Sequence, residues 1–120
     1  MERPFRYILA EKAPPMVTVR LRQTMFSDLE LEELGAEIAR LVDEEGCQKI
    51  ILELGPDEPQ CLFSVFLAKL VNLQKRLETD GGTLALARLN PTALGFFEAA
   101  GLEKFFKFYP DVESARQALQ

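Results

Sequence analysis

Residues 49–77, KIILELGPDEPQCLFSVFLAKLVNLQKRL, decide the fold. Ile50, Ile51, Leu52 and Leu54 form a short apolar run stopped by Gly55-Pro56, which reads as a buried strand. A polar loop follows. Phe63, Phe66, Leu67, Leu70, Leu73 and Leu77 then recur at helical spacing, while Lys69 and Lys75-Arg76 fall on the side left to solvent. The segment is therefore a strand, a loop and a long amphipathic helix. In open α/β sheets the loop leaving the carboxyl end of a central strand is the usual place of recognition, which directs attention to residues 55–64.

Working outward, Phe5–Leu9 and Met16–Leu21 read as two strands joined by a polar connection, Glu11–Pro15, and predict a hairpin at a sheet edge. In MVTVRL the alternation sets Met16, Thr18 and Arg20 on one face and Val17, Val19 and Leu21 on the other. Ser27-Asp28-Leu29-Glu30 has the form of a capping box. The helix it opens carries Leu31, Leu34, Ile38, Leu41 and Val42 on one stripe, and Gly46 suits its carboxyl-terminal stop. The acids Glu32, Glu33, Glu37, Asp43, Glu44 and Glu45 read as its solvated face.

Beyond the central segment, Asp80-Gly81-Gly82 is a turn signal and Thr83–Leu89 a second buried strand. Asn90-Pro91 supplies an N-cap and an N1 proline for a short helix ending near Ala100, with Gly101 as its stop. Lys104–Tyr109 reads as a last strand, and Asp111 caps a final helix through Leu119. Strands alternating with helices after an opening hairpin predict an α/β domain: a mixed, mostly parallel sheet of about five strands covered by about four helices.

The 120 residues fit one domain with its core over about residues 5–119, and a hydrophobic content of 48% with 28% charged residues is that of an ordinary globular protein. A net charge of −5 with scattered cations argues against nucleic acid and against anionic membrane surfaces. No apolar run reaches the roughly 18 residues of a spanning helix, and no signal-peptide pattern opens the chain, so a cytoplasmic protein is expected. Cys47 and Cys61 stand alone and read as reduced, small hydrophobes. The sequence contains no histidine, which removes the commonest general base and metal ligand together. No metal site and no cofactor are expected.

The order of elements and several local phrases resemble the STAS domain, the fold of bacterial anti-sigma-factor antagonists. Leu52-Glu53-Leu54-Gly55 corresponds to the family's strand, and Ser64, Leu67 and Lys75-Arg76 to its loop and helix. Leu84–Asn90, Phe96–Leu102, Tyr109, Ala115 and Leu119 are similar to its carboxyl-terminal half. The signature loop departs from the family pattern. The family's aspartate, second serine and glycine fall on Phe63, Val65 and Phe66, and Asp57, Glu58 and Pro59 look inserted.

The resemblance implies a non-catalytic partner switch. The unphosphorylated antagonist binds an anti-sigma factor with serine-kinase activity, or a similar signalling protein, through the 55–66 loop and the following helix, and serine phosphorylation releases it. The candidate partner-binding residues are Asp57, Glu58, Gln60, Phe63, Ser64 and Phe66, with Ser64 the candidate phosphoacceptor.

Phosphate at a helix start is accepted by free amides and the positive dipole end. A second start, Asp57-Glu58-Pro59-Gln60, also has capping-box form and would put Ser64 inside the helix as a structural residue. Phe63 and Phe66, with Cys61 and Leu62, read either as core or as an exposed apolar patch. The alternative functions are a module for a nucleotide or lipid-related ligand, which lacks any phosphate-cradling glycine motif, and a constitutive scaffold subunit. An enzyme would have to run on Glu53, Asp57 or Glu58 with Cys61 or Ser64, and no spacing argues for one.

Overall fold

The computed structural model describes residues 5–13, 16–23, 25–44, 46–55 and 64–120, with Ser64 and Val65 described by their backbone alone. Five strands and four helices alternate after an opening pair: β1 (Ile8–Ala13), β2 (Met16–Leu21), α1 (Asp28–Asp43), β3 (Lys49–Glu53), α2 (Ser64–Thr79), β4 (Thr83–Ala87), α3 (Pro91–Ala99), β5 (Lys107–Tyr109) and α4 (Val112–Leu119). The sheet order is β1-β2-β3-β4-β5. β1 lies antiparallel to β2, and the other neighbours are parallel. This is the expected mixed, mostly parallel sheet.

Parallel neighbours need a crossover helix, and successive crossovers of one hand in one direction stack their helices on one face. Leu31, Leu34, Ile38 and Leu41 of α1, Phe66, Leu70 and Leu77 of α2, and Ala93 and Phe97 of α3 accordingly share one core. From the sheet, Val17, Val19, Ile50, Leu52, Leu84 and Leu86 enter it. The residues between these point to the opposite face. There Ile51, Ala85 and Ala87 pack under Ala115 and Leu119 of α4, with Met16 at the margin. The alternation read from MVTVRL holds.

The first strand is a correction. It runs Ile8–Ala13 rather than Phe5–Leu9, because Glu11, Lys12 and Ala13 pair with Thr18, Val17 and Met16. What reads as a polar connection is an edge strand with one wet face. Phe5–Tyr7 serve instead as a strap on α1. Glu37 accepts the backbone N–H groups of Arg6 and Tyr7 at 2.5 and 2.8 Å, and the Tyr7 hydroxyl donates to Glu33 at 3.1 Å. The last strand is likewise shorter than Lys104–Tyr109. Phe106 turns into the core, and its ring meets those of Phe97 and Phe105 edge-on.

The caps follow the sequence. Ser27 and Glu30 exchange both bonds of a capping box, while Asn90 and Asp111 accept the amides of Ala93 and Ser114. Helix α1 ends before Gly46, whose φ of 67° is left-handed.

Candidate functional site

Because β2 to β5 run the same way, their carboxyl ends meet at one end of the sheet. The exits to α1, α2 and α3 lie there together. β3, β4 and β5 are held together at this end. The Leu54 N–H donates to the Ala87 carbonyl at 3.0 Å and the Arg88 N–H to the Tyr109 carbonyl at 3.2 Å. A Cβ at residue 55 would overlap the Arg88 carbonyl, so only glycine lets the two exits pass this closely. Arg88 is itself in the left-handed region, at φ 57°, alone among the described residues other than glycine.

On the α4 side of this end, Glu53 is buried, its side chain 3% exposed. Its carboxylate pairs through one oxygen with Arg20 Nε of β2 and through the other with Arg88 Nη1 at 3.4 Å. The pairing register explains the meeting, since Arg20 lies directly opposite Glu53, which lies opposite Ala87. Sequence reading placed Arg20 on this face but gave it no partner and did not single out Arg88. The available signal was a charged residue, Glu53, inside an otherwise apolar central strand.

Of the residues read as a partner surface, Asp57, Glu58, Gln60 and Phe63 lie outside the described residues, as does Cys61 and the rival helix start at Asp57. Ser64 is the first residue of α2 as described. Phe66 is a correction: at 1% exposure it belongs to the core between α2 and the sheet, because helical spacing aligns it with Leu70 and Leu77, and it cannot face a partner. The outward face of α2 carries Ala68, Asn72, Lys75 and Arg76. Two further residues went unnoticed in the sequence. Met25 and Leu29, 66% and 69% exposed, stand at the amino end of α1, on the end of the molecule where β3 also makes its exit.

Between α1 and α2 runs a groove of about 370 Å³ floored by Leu34, Ile38, Phe66, Leu70 and Leu73. Lys69 bridges it to Glu32 at 3.0 Å and Arg76 to Asp43. Among the described residues no group of acidic and cysteine side chains could hold a metal ion, and no helix is long and apolar enough to cross a membrane.

A mixed five-strand α/β sheet with three helices on one face and one on the other, its exits gathered at one end, defines the class. A family model for the STAS domain matches residues 7–115, and the chain belongs to that family. No curated protein matches it. Among solved structures it is similar to an anti-sigma-factor antagonist domain protein from Planctomyces limnophilus, at 17% identity and a TM-score of 0.78, covering 93% of this chain and 97% of that one. It is also similar to an anti-sigma factor antagonist from Mycobacterium paratuberculosis, at 18% identity and 0.76, covering 99% and 98%. The phosphorylated form of the Bacillus cell fate determinant SpoIIAA gives 17% and 0.65, covering 92% and 98%.

Proposed function

We propose that the chain is a non-catalytic interaction module of the antagonist type. Its partner is an anti-sigma factor with serine-kinase activity or a similar signalling protein. The partner meets the 55–64 segment and the outward face of α2, and phosphorylation of Ser64 releases it. The observation that carries this reading is that Ser64 belongs to the helix that follows the carboxyl end of β3, at the end of the sheet where Met25 and Leu29 are also exposed. A phosphate there adds close to two negative charges, which an acidic or apolar partner surface repels.

The test is calorimetric titration of wild type, Ser64→Ala and Ser64→Glu with the candidate anti-sigma kinase, alongside mass spectrometry after incubation with kinase and ATP. Binding lost only in the glutamate form, with phosphate mapped to Ser64, supports the switch. Equal binding by all three makes the chain a constitutive scaffold.

A second reading, a module for a nucleotide or lipid-related ligand, draws on the apolar groove between α1 and α2. A thermal-shift series tests it: a ligand at about 100 times its dissociation constant adds about 2.7 kcal/mol of apparent stability.

A further inference from the structure

Glu53 is paired twice where one guanidinium would neutralise it. Its buried carboxylate holds Arg20 by one oxygen and Arg88 by the other. The cluster therefore keeps one positive charge, in a chain whose net charge is −5. Both arginine side chains remain open to solvent, 60% for Arg20 and 41% for Arg88. Arg20 spends its Nε on Glu53 and Arg88 one Nη, and the rest of each fork is directed elsewhere.

Three further features point the same way. The cluster stands at the carboxyl ends of β2, β3 and β4, the end at which open α/β sheets take their ligands. Arg88 is held in a left-handed conformation that a non-glycine residue adopts at a cost, and such outliers concentrate at binding sites. That conformation is locked by the close approach of Gly55 and by the Arg88 N–H to Tyr109 bond. Two guanidiniums pinned by a common buried anion lose little freedom on meeting a second one, so their outer N–H groups are preorganised.

We propose that Arg20 and Arg88, fixed by Glu53, form a receptor for an oxyanion, the phosphate or carboxylate group of a small molecule. This site lies on the α4 side of the sheet, away from the outward face of α2, and stands independently of the antagonist reading. Glu53 acts as the positioning residue. It repels the ligand at close range and so directs it to the outer edges of both forks, where planar guanidinium groups accept two oxygens side by side.

The experiment is an amide chemical-shift titration of the full chain with inorganic phosphate and, separately, with acetate, at constant ionic strength. The expected result is saturable shifts confined to the amides of Arg20, Glu53, Leu54, Gly55 and Arg88. Arg20→Gln and Arg88→Gln should each weaken the fitted affinity about tenfold, the loss of one charge-assisted hydrogen bond. Saturation with phosphate alone assigns a phosphate-bearing ligand, and saturation with both admits a carboxylate. Should Arg88→Gln disturb the fold, Arg88→Lys keeps the charge and removes the fork, and the Arg20 variant rests on a side chain that is mostly in water. Shifts that stay linear to high concentration, that spread equally to Lys75 and Arg76, or that survive both glutamine variants overturn the proposal.

Discussion

The side-chain carbonyl of Gln74 accepts the backbone N–H of Leu84 at 2.8 Å. The two residues belong to α2 and β4, and the bond repairs a gap in the sheet. Successive N–H groups of a strand point to opposite neighbours, and the Thr83 N–H already serves the Gln48 carbonyl on the β3 side. Leu84 therefore looks toward β5, which reaches back only to Lys107, opposite Ala85. Gln74 substitutes for the missing strand, and Glu78 accepts its amide at 3.1 Å. Gln74→Leu keeps the volume and orphans a buried donor. It should cost about 1–3 kcal/mol in urea unfolding, with faster exchange at the Leu84 amide.

Phe66 belongs to the core side of α2. With its ring buried against the sheet, Phe66→Ala should lose about 3–5 kcal/mol of unfolding free energy. A change within about 0.5 kcal/mol is the behaviour of an exposed position and would contradict the packing described.

The helix caps predict an acid dependence. The Ser27 amide first, then the Gln23 side-chain amide and the Ser27 hydroxyl, hold the Glu30 carboxylate below its ordinary 4.5, and the Ser114 amide holds Asp111 below its ordinary 3.8. A lowered value in the fold means the charged form is the one stabilised. The contribution is complete above the ordinary value and is lost as pH falls through the lowered one. Melting temperature followed by circular dichroism should therefore fall on acidification through this range. Glu30→Gln keeps an acceptor for the Ser27 amide, gives up the bond from Gln23 and carries no titrating charge, and its melting temperature should fall less steeply over the same interval.

Gly55 is fixed by proximity rather than by its own dihedral angles. Since a Cβ there would overlap the Arg88 carbonyl, Gly55→Ala must push the exits of β3 and β4 apart. The expected loss is about 1–3 kcal/mol, the usual cost of overpacking, with the largest amide shifts at Leu54 and Arg88. Unchanged shifts at both residues would show that the exits are not in contact in solution.

Most of the fold was legible because each signal was local. The apolar run of β3, the stripe on α1, and the caps at Ser27, Asn90 and Asp111 each depend on residues a few positions apart. What was misread depends on partners distant in sequence. Glu11 and Ala13 look like a loop until Thr18 and Met16 stand opposite them. Phe105 and Phe106 look like strand until the Phe97 ring claims one of them edge-on. The ion cluster was least legible of all, because Arg20 and Glu53 come from two strands and Arg88 from the exit of a third, and only the register aligns them. Of the candidate surface, Ser64 and Phe66 could be located, Ser64 within α2 as described and Phe66 in the core.

Helix α4, the one helix on the second face among the described residues, sets the order in which the molecule can be completed. The sheet and α1 to α3 are made from residues ahead of Asp111, yet Ile51, Ala85 and Ala87 find their cover only in Ala115 and Leu119. During synthesis the growing chain therefore carries a finished core on one side and a bare apolar strip on the other until α4 leaves the ribosome. Lys49 then closes the seam by donating to the Leu119 carbonyl at 2.5 Å. Nascent chains arrested before Val112 should be the ones that chaperones hold.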